Sequence, residues 1–152
     1  SGGGLFNMAG ELIGIVNAKI ADESIEGLGF AIPVDTAYDI IQEIVKHGYV
    51  QGRPALGFEV LDVTSYQTAM RYFNSFYLGV YVYDRNHAVM QYGDLILSVN
   101  GIKLETAAQL QTMVSEMEVG EDLELVIYRN KEKQTVTVQV IEQIPEAEKN
   151  PA

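Results

Sequence analysis

Few side chains in this sequence could perform covalent or metal chemistry. The candidates are Ser1 and the only two histidines, His47 and His87. A serine hydroxyl is a weak nucleophile until an imidazole takes its proton and a carboxylate orients that imidazole. His47 falls in the predicted last turn of a helix, where a cation is favoured, and His87 falls in a predicted loop, so we expect neither to be a catalytic base. No His-Glu-x-x-His motif or ligand-like spacing of acidic residues occurs, so we predict no metal and no other cofactor.

Composition narrows the class of protein. The 152 residues could hold one ordinary domain, or one small domain with a fragment of another. The 21 acidic residues outnumber the 10 basic ones, and the net charge of −11 argues against nucleic acid or an anionic membrane as a partner. The absence of cysteine excludes a disulfide framework and a thiolate metal site. No apolar run approaches the ~18 residues that a membrane-spanning helix requires.

The first 48 residues are predicted to form strands followed by one helix. The elements are a hairpin of strands at 5–7 and 11–18, a polar loop at 21–26, a strand at 27–33 and a helix that ends at Gly48. The second strand is continuously apolar in its first half, which is typical of a strand buried on both faces. We expect Asp35 to be the N-cap of the helix and one apolar stripe to face a core. That stripe consists of Ala37, Ile40, Ile41, Ile44 and Val45.

After a predicted linker at 49–54, the pattern changes to short strands and two helices, so the fold class is mixed α+β and mainly β. The predicted elements are strands at 56–63, 78–83 and 95–99, helices at 66–73 and 106–120, and two alternating strands up to residue 142. Thr106 and Gln109 match a capping box at the start of the second helix. The inward-facing residues of the last two strands are Leu123, Leu125, Ile127, Val136, Val138 and Val140. Residues 143–152 are polar and are predicted to be a flexible tail.

Two strings in the N-terminal part resemble HtrA-type (DegP-like) serine proteases, which are trypsin-like. Residues 1–7, Ser-Gly-Gly-Gly-Leu-Phe-Asn, and 10–15, Gly-Glu-Leu-Ile-Gly-Ile, resemble the segment that begins at the nucleophile. Residues 27–35, Gly-Leu-Gly-Phe-Ala-Ile-Pro-Val-Asp, resemble a segment that HtrA proteases carry shortly after it. The resemblance implies that 1–48 is the end of a chymotrypsin-like β-barrel with its C-terminal helix. It also implies that Ser1 is the nucleophile, with a plain N-terminal serine as the alternative.

Residues 55–142 resemble the PDZ domain of the same family. The marks are Leu56-Gly57-Phe58, Gly93-Asp94-Leu95-Ile96, Val99-Asn100-Gly101, the helix that follows, and Val119-Gly120. The segment 84–93 is shorter than usual, so the small helix that the family has there is expected to be reduced to a turn at 87–91.

The PDZ resemblance implies a peptide-binding site. Leu56, Gly57 and Phe58 would form the carboxylate-binding loop, because glycine lets successive N–H groups point at one anion. A peptide would add as a strand beside Phe58, Glu59 and Val60 and against the second helix. Met113 is off the core stripe of that helix and could line the pocket for the last side chain. Gln109 could also line the pocket, although its capping role competes.

Both resemblances together imply the C-terminal portion of an HtrA-type endopeptidase in protein quality control. Its partners would be unfolded or misfolded proteins and peptide C-termini. The triad histidine and aspartate precede the serine in this family, so we expect this chain by itself to be catalytically incompetent. The parent is expected outside the cytoplasm, in the periplasm or at the cell surface, as a trimer-based homo-oligomer. Residues 5–34 are expected to self-associate through unpaired strand edges. The alternative is a non-catalytic PDZ peptide-binding module.

Overall fold

The computed structural model of the chain describes residues 2–19 and 29–145. The chain divides into two compact units, Ser1–Gln51 with Ile144–Ala152, and Gly52–Gln143. Ser1, the predicted polar loop at 21–26 and most of the predicted tail lie outside the described residues.

The first unit is a three-stranded antiparallel sheet in the order β1-β2-β3 with one helix. Its elements are β1 (Gly4–Phe6), β2 (Leu12–Lys19), β3 (Gly29–Pro33) and α1 (Val34–His47). The predicted hairpin is confirmed. The Asn7 side-chain oxygen accepts hydrogen bonds from the N–H groups of Ala9 and Glu11 at 2.9 and 3.0 Å, which closes the turn between β1 and β2.

Two features of the first unit differ from the sequence-based expectations. Helix α1 begins at Val34, so Asp35 lies in the first turn and is not the N-cap. Pro33, with an extended ψ of 144°, takes the N-cap place, so the helix begins two residues earlier than predicted. Strand β2 is not buried on both faces, since Leu12 and Ile13 are 40% and 45% exposed. Helix α1 packs against β2 and β3, and among the described residues of this unit no other element covers the sheet.

The stripe of α1 is only partly buried, while the end of the helix is as expected. Among the stripe residues Ala37 alone is buried, and Val45 is 77% exposed. Gly48 takes a φ of 82° and its N–H donates to the Ile44 carbonyl at 2.8 Å, so the predicted glycine C-cap is confirmed.

The second unit is built on a large antiparallel sheet in the order β10-β9-β7-β6-β5, with β8 paired to β7. A separate pair joins β4 and β11. The elements are β4 (Pro54–Ala55), β5 (Val60–Val63), α2 (Tyr66–Phe73), β6 (Gly79–Val82), β7 (Leu95–Val99), β8 (Ile102–Lys103), α3 (Ala107–Ser115), β9 (Asp122–Arg129), β10 (Glu132–Gln139) and β11 (Ile141–Glu142).

Alternating residues of the large sheet enter two apolar clusters. Val80 and Val82 belong to the main core with α3, whereas Tyr81 between them belongs to a smaller cluster with α2. This is the period-two alternation of a strand packed on both faces. The predicted inward residues of β9 are confirmed, because Leu123, Leu125 and Ile127 are fully buried in the main core.

Three predicted boundaries in this unit are wrong. The strand predicted at 56–63 begins only at Val60, because the chain bends where Gly57 takes a φ of +73°. Helix α3 ends at Ser115 and does not reach Gly120. Pro54, placed in the predicted linker, pairs with Glu142 at the β4–β11 pair. The helix predicted at 66–73 is confirmed as α2.

Candidate functional site

The bend between β4 and β5 consists of Leu56, Gly57 and Phe58. Leu56 is buried at 8% exposure, and Phe58 packs against the main core. The left-handed φ of Gly57 turns the backbone between these two anchored side chains. None of the three N–H groups donates to a backbone oxygen among the described residues. The bend therefore has successive N–H groups without backbone acceptors, and such groups at a left-handed turn can bind an anion.

Strand β5 continues the bend and is an edge of the sheet. Its only strand partner among the described residues is β6, with Val60 opposite Val82. The Tyr83 N–H donates to the Glu59 carbonyl at 2.9 Å, so the backbone groups of Glu59 face β6. Because backbone groups alternate along a strand, those of Phe58, Val60 and Asp62 face the free edge. An extended peptide can pair with that edge.

Helix α3 lies beside β5. It packs against β4 and β5, and the Asp62 carboxylate accepts a hydrogen bond from the Ala107 N–H at 2.7 Å, which ties the helix start to β5. Met113 is half-buried and packs on the main core together with Phe58 and Val60. The structure thus brings Met113 to the same apolar patch as the bend.

Gln109 is held at the start of α3 by its own hydrogen bonds. Its Oε1 accepts from the Glu105 N–H at 2.9 Å and its Nε2 donates to the Lys103 carbonyl at 3.3 Å. The Thr106 hydroxyl accepts from the Gln109 N–H at 3.1 Å, as a capping box requires, but the return bond goes to Glu105 and not to Thr106. Of the two roles expected for Gln109, capping and pocket lining, these hydrogen bonds favour capping.

Two residues beside the bend were missed by the sequence analysis. The Ile141 side chain lies 2.8 Å from the place that a Cβ on Gly57 would occupy. The His87 ring contacts the Phe58 ring edge-on, with centroids 5.1 Å apart. No local pattern indicates either contact, because both side chains reach the bend from segments far away in the chain.

The buried ionisable groups described in this unit, Asp94 and Tyr81, are hydrogen-bonded to other residues of the unit. Asp94 is 2% exposed and accepts two hydrogen bonds from Arg129, at 2.7 and 2.6 Å, and the bond to this carboxylate raises the pKa of Arg129. Burial raises the pKa of Tyr81, whose hydroxyl donates to the Tyr77 carbonyl. In residues 2–19 and 29–145 no group of three or more side chains is arranged to hold a metal.

A second concavity lies on the α2 face of the sheet. Its volume is about 680 Å³, and Phe73, Tyr77, Tyr92 and Tyr128 are among its walls. It shares no residue with the predicted peptide-binding set. The candidate site is the region between β5 and α3, because the bend at Gly57 and the free edge of β5 lie there.

Comparison with known proteins identifies the family of the second unit. Residues 54–140 match the PDZ domain family. The chain belongs to the PDZ domain family. The relatives and the solved structures confirm the predicted resemblance to HtrA-type proteases. They also confirm the predicted fold class, which is α+β and mainly β.

Three relatives show how far the similarity extends. A Do-like serine protease HtrA of Lactobacillus helveticus is 33% identical over 144 residues, covering 86% of this chain and 35% of that protein. A protein of Pseudomonas putida named a probable periplasmic serine endoprotease, DegP-like, is 36% identical over 92% of this chain and 30% of its own length. The solved structure of the HtrA-type protease AlgW with a decapeptide has a TM-score of 0.64 and 31% identity over 95% of this chain and 46% of that one.

This chain thus spans about a third of the curated relatives that it matches, and about half of the solved protease. PDZ domains of HtrA proteases bind peptides or protein substrates. Within the described ranges, no helix is long and apolar enough to cross a membrane.

Proposed function

We propose that this PDZ domain binds the C-terminal end of peptides and unfolded proteins. The observation that carries the proposal is the bend at Gly57, whose neighbouring N–H donors adjoin the free edge of β5. A terminal carboxylate that leaves water needs such charge-assisted hydrogen bonds to compensate for its lost hydration. The peptide backbone would then pair with Phe58 and Val60.

The last side chain of the peptide would enter an apolar pocket. Leu56, Phe58 and Met113 all belong to or pack on the main core beside the bend, which favours an aliphatic or aromatic last residue. Glu59, between Phe58 and Val60, is exposed. Because the chain carries a net charge of −11, long-range attraction does not help an anionic ligand, and short hydrogen bonds supply the selectivity. The similarity to a protease structure that contains a decapeptide supports the proposal.

We propose further that the parent protein is an HtrA-type serine endopeptidase acting in protein quality control outside the cytoplasm, as a trimer-based homo-oligomer. Ser1 would be its nucleophile, with a histidine and an aspartate supplied by an upstream region. The 152-residue chain by itself would be inactive, because its two histidines both follow Ser1. Labelling by a fluorophosphonate probe tests this. The protein encoded by the full reading frame should react at the serine that corresponds to Ser1, and the 152-residue chain should not react. A reading frame without an upstream histidine and aspartate would favour a non-catalytic peptide-binding module.

The test of peptide-end binding compares a fluorescent peptide ending in Val as free acid and as C-terminal amide by fluorescence polarisation. The free acid should bind with a Kd on the order of micromolar, because such grooves bury little area. The amide should bind about tenfold or more weakly, since hydrogen bonds to a charged group contribute about 1.5–3 kcal/mol. Equal binding of the two peptides would refute the carboxylate role.

A matched pair of glycine variants locates the site. Gly57→Val should weaken the free acid selectively, because a side chain there strains the left-handed bend and meets Ile141. Gly101→Val carries similar backbone strain at φ +77°, but its side chain would meet nothing within 4 Å, so it should bind the free acid better than Gly57→Val. Thermal melts confirm that each variant is folded. Wild-type-like binding by Gly57→Val would place the groove elsewhere.

A further inference from the structure

The imidazole of His87 is fixed by its own loop. Its Nδ1 accepts hydrogen bonds from the N–H groups of Val89 at 3.2 Å and Met90 at 3.0 Å. An imidazole nitrogen accepts only while it carries no proton, so this arrangement needs the neutral ring with its hydrogen on Nε2. Met90 is 1% exposed in the main core. A proton on Nδ1 would face these two donors, and the loop next to Met90 would lose both hydrogen bonds.

The same ring supports the bend at 56–58. It contacts the edge of Phe58, with centroids 5.1 Å apart and an interplanar angle of 67°. Its Cδ2 also lies 3.9 Å from the position that a Cβ on Gly57 would take. His87 thus contacts Phe58 and lies beside Gly57, two of the three residues whose N–H groups are offered to the peptide carboxylate.

We propose that His87 is a positioning residue for the peptide end: its neutral imidazole holds the bend in the binding shape, and its protonation lowers the affinity for the peptide. This inference rests on the proposed function of the bend. Histidine is the side chain that changes its charge between pH 5 and 8. If the peptide binds only the protein with a neutral His87, protonation of His87 lowers the population of that form. The affinity for the peptide should therefore fall as the pH is lowered.

Most of the charged groups near His87 have other partners. The charged groups on His87's loop and on the segments packed near it are Asp84, Arg85, Glu59, Arg53, Glu142 and the Asp94–Arg129 pair. Asp84 accepts from the Asn86 N–H, Glu142 accepts from the Gly52 N–H, and Arg129 is bonded to Asp94 and to the Val89 carbonyl. Arg85 stacks over the Tyr92 ring. In the described part of the chain no carboxylate forms a salt bridge with His87.

The experiment measures the Kd of the free-acid peptide ending in Val at pH 7.5, 6.5 and 5.5, by fluorescence polarisation on the whole chain. The wild type should bind about fivefold or more weakly at pH 5.5 than at pH 7.5. His87→Asn places an amide oxygen near the position of Nδ1, so it keeps the acceptor without titrating, and its Kd should vary little with pH. His87→Phe keeps a ring against Phe58 without the acceptor and should bind more weakly than His87→Asn at pH 7.5. His47→Asn, which removes the only other histidine, should keep the pH dependence of the wild type.

A pH profile of His87→Asn as steep as that of the wild type would overturn the inference, and so would a flat profile of the wild type. Circular dichroism at each pH excludes general unfolding as the cause, and if His87→Phe fails to fold, the wild type and His87→Asn still decide. Equal binding of the free acid and the amide at pH 7.5 would overturn the proposed function and this inference with it. If the free acid binds more tightly than the amide but His87→Asn has the same pH profile as the wild type, the proposed function stands and only this inference is overturned.

Discussion

Arg129→Met should lower the unfolding free energy of the PDZ domain far more than the removal of a surface charge does. In the wild type, Nε and Nη2 of Arg129 donate to the two oxygens of Asp94 at 2.7 and 2.6 Å, and Nη2 also donates to the Val89 carbonyl at 2.9 Å. The side chains of Arg129 and Asp94 are 14% and 2% exposed. Methionine keeps much of the aliphatic packing but leaves the carboxylate with the Gln91 N–H, at 2.7 Å, as its remaining donor.

The expected magnitude follows from the burial of the remaining charge. Breaking a buried ion pair by removing one partner costs about 3–5 kcal/mol, because an uncompensated charge stays in a poorly solvated place. The retained Gln91 bond and the partial exposure of the site put the expected loss near the lower limit, about 3 kcal/mol. The double variant Asp94→Asn with Arg129→Met should recover part of the loss, since a neutral amide needs no countercharge.

The chain contains its own control. Lys103 and Glu105 form an ion pair at 3.4 Å with side chains 81% and 71% exposed, and exposed pairs contribute about 0–1 kcal/mol. Urea unfolding followed by tyrosine fluorescence reports mainly on the second unit, which holds seven of the nine tyrosines. Arg129→Met should lower the midpoint with an unchanged slope, while Lys103→Met should have little effect. Equal losses in the two variants would refute the argument from burial.

Two further predictions concern alkaline stability and association. Burial raises the pKa of Tyr81 above its usual value of 10.0. The stabilising contribution of the protonated hydroxyl is therefore complete below pH 10 and is lost as the pH rises through the folded-state pKa. The unfolding free energy of the wild type should fall more steeply above pH 10 than that of Tyr81→Phe, and parallel curves would contradict this. In the first unit, Phe6 and Phe30 are 60% and 54% exposed on the two edge strands. We therefore expect copies of the chain to associate, so that the apparent mass measured by light scattering rises with protein concentration. The double variant Phe6→Ser with Phe30→Ser should reduce that rise. A concentration-independent monomer would oppose self-association through 5–34.

Much of the fold could be predicted from the sequence, because the features concerned depend on near neighbours. The alternation of Leu123, Leu125 and Ile127 repeats with the period of a strand, and their full burial follows from it. Helix α2 has the predicted bounds, and the hairpin of the first unit closes through Asn7 and its neighbours in the chain. The loop motif around Gly57 was also recognisable, since glycine marks a place where the backbone can turn.

The tertiary structure decided how the site is held. Gly57 permits both an extended and a left-handed backbone, and only the packing of Leu56 and Phe58 into the core shows that the chain bends there before β5 begins. The bond from the Ala107 N–H to Asp62 joins residues 45 positions apart, and Arg129 reaches Asp94 across 35 positions. His87 likewise accepts bonds from its own loop yet supports Phe58. Such pairings arise where folding brings distant segments together, and a local pattern of residue types carries no record of them.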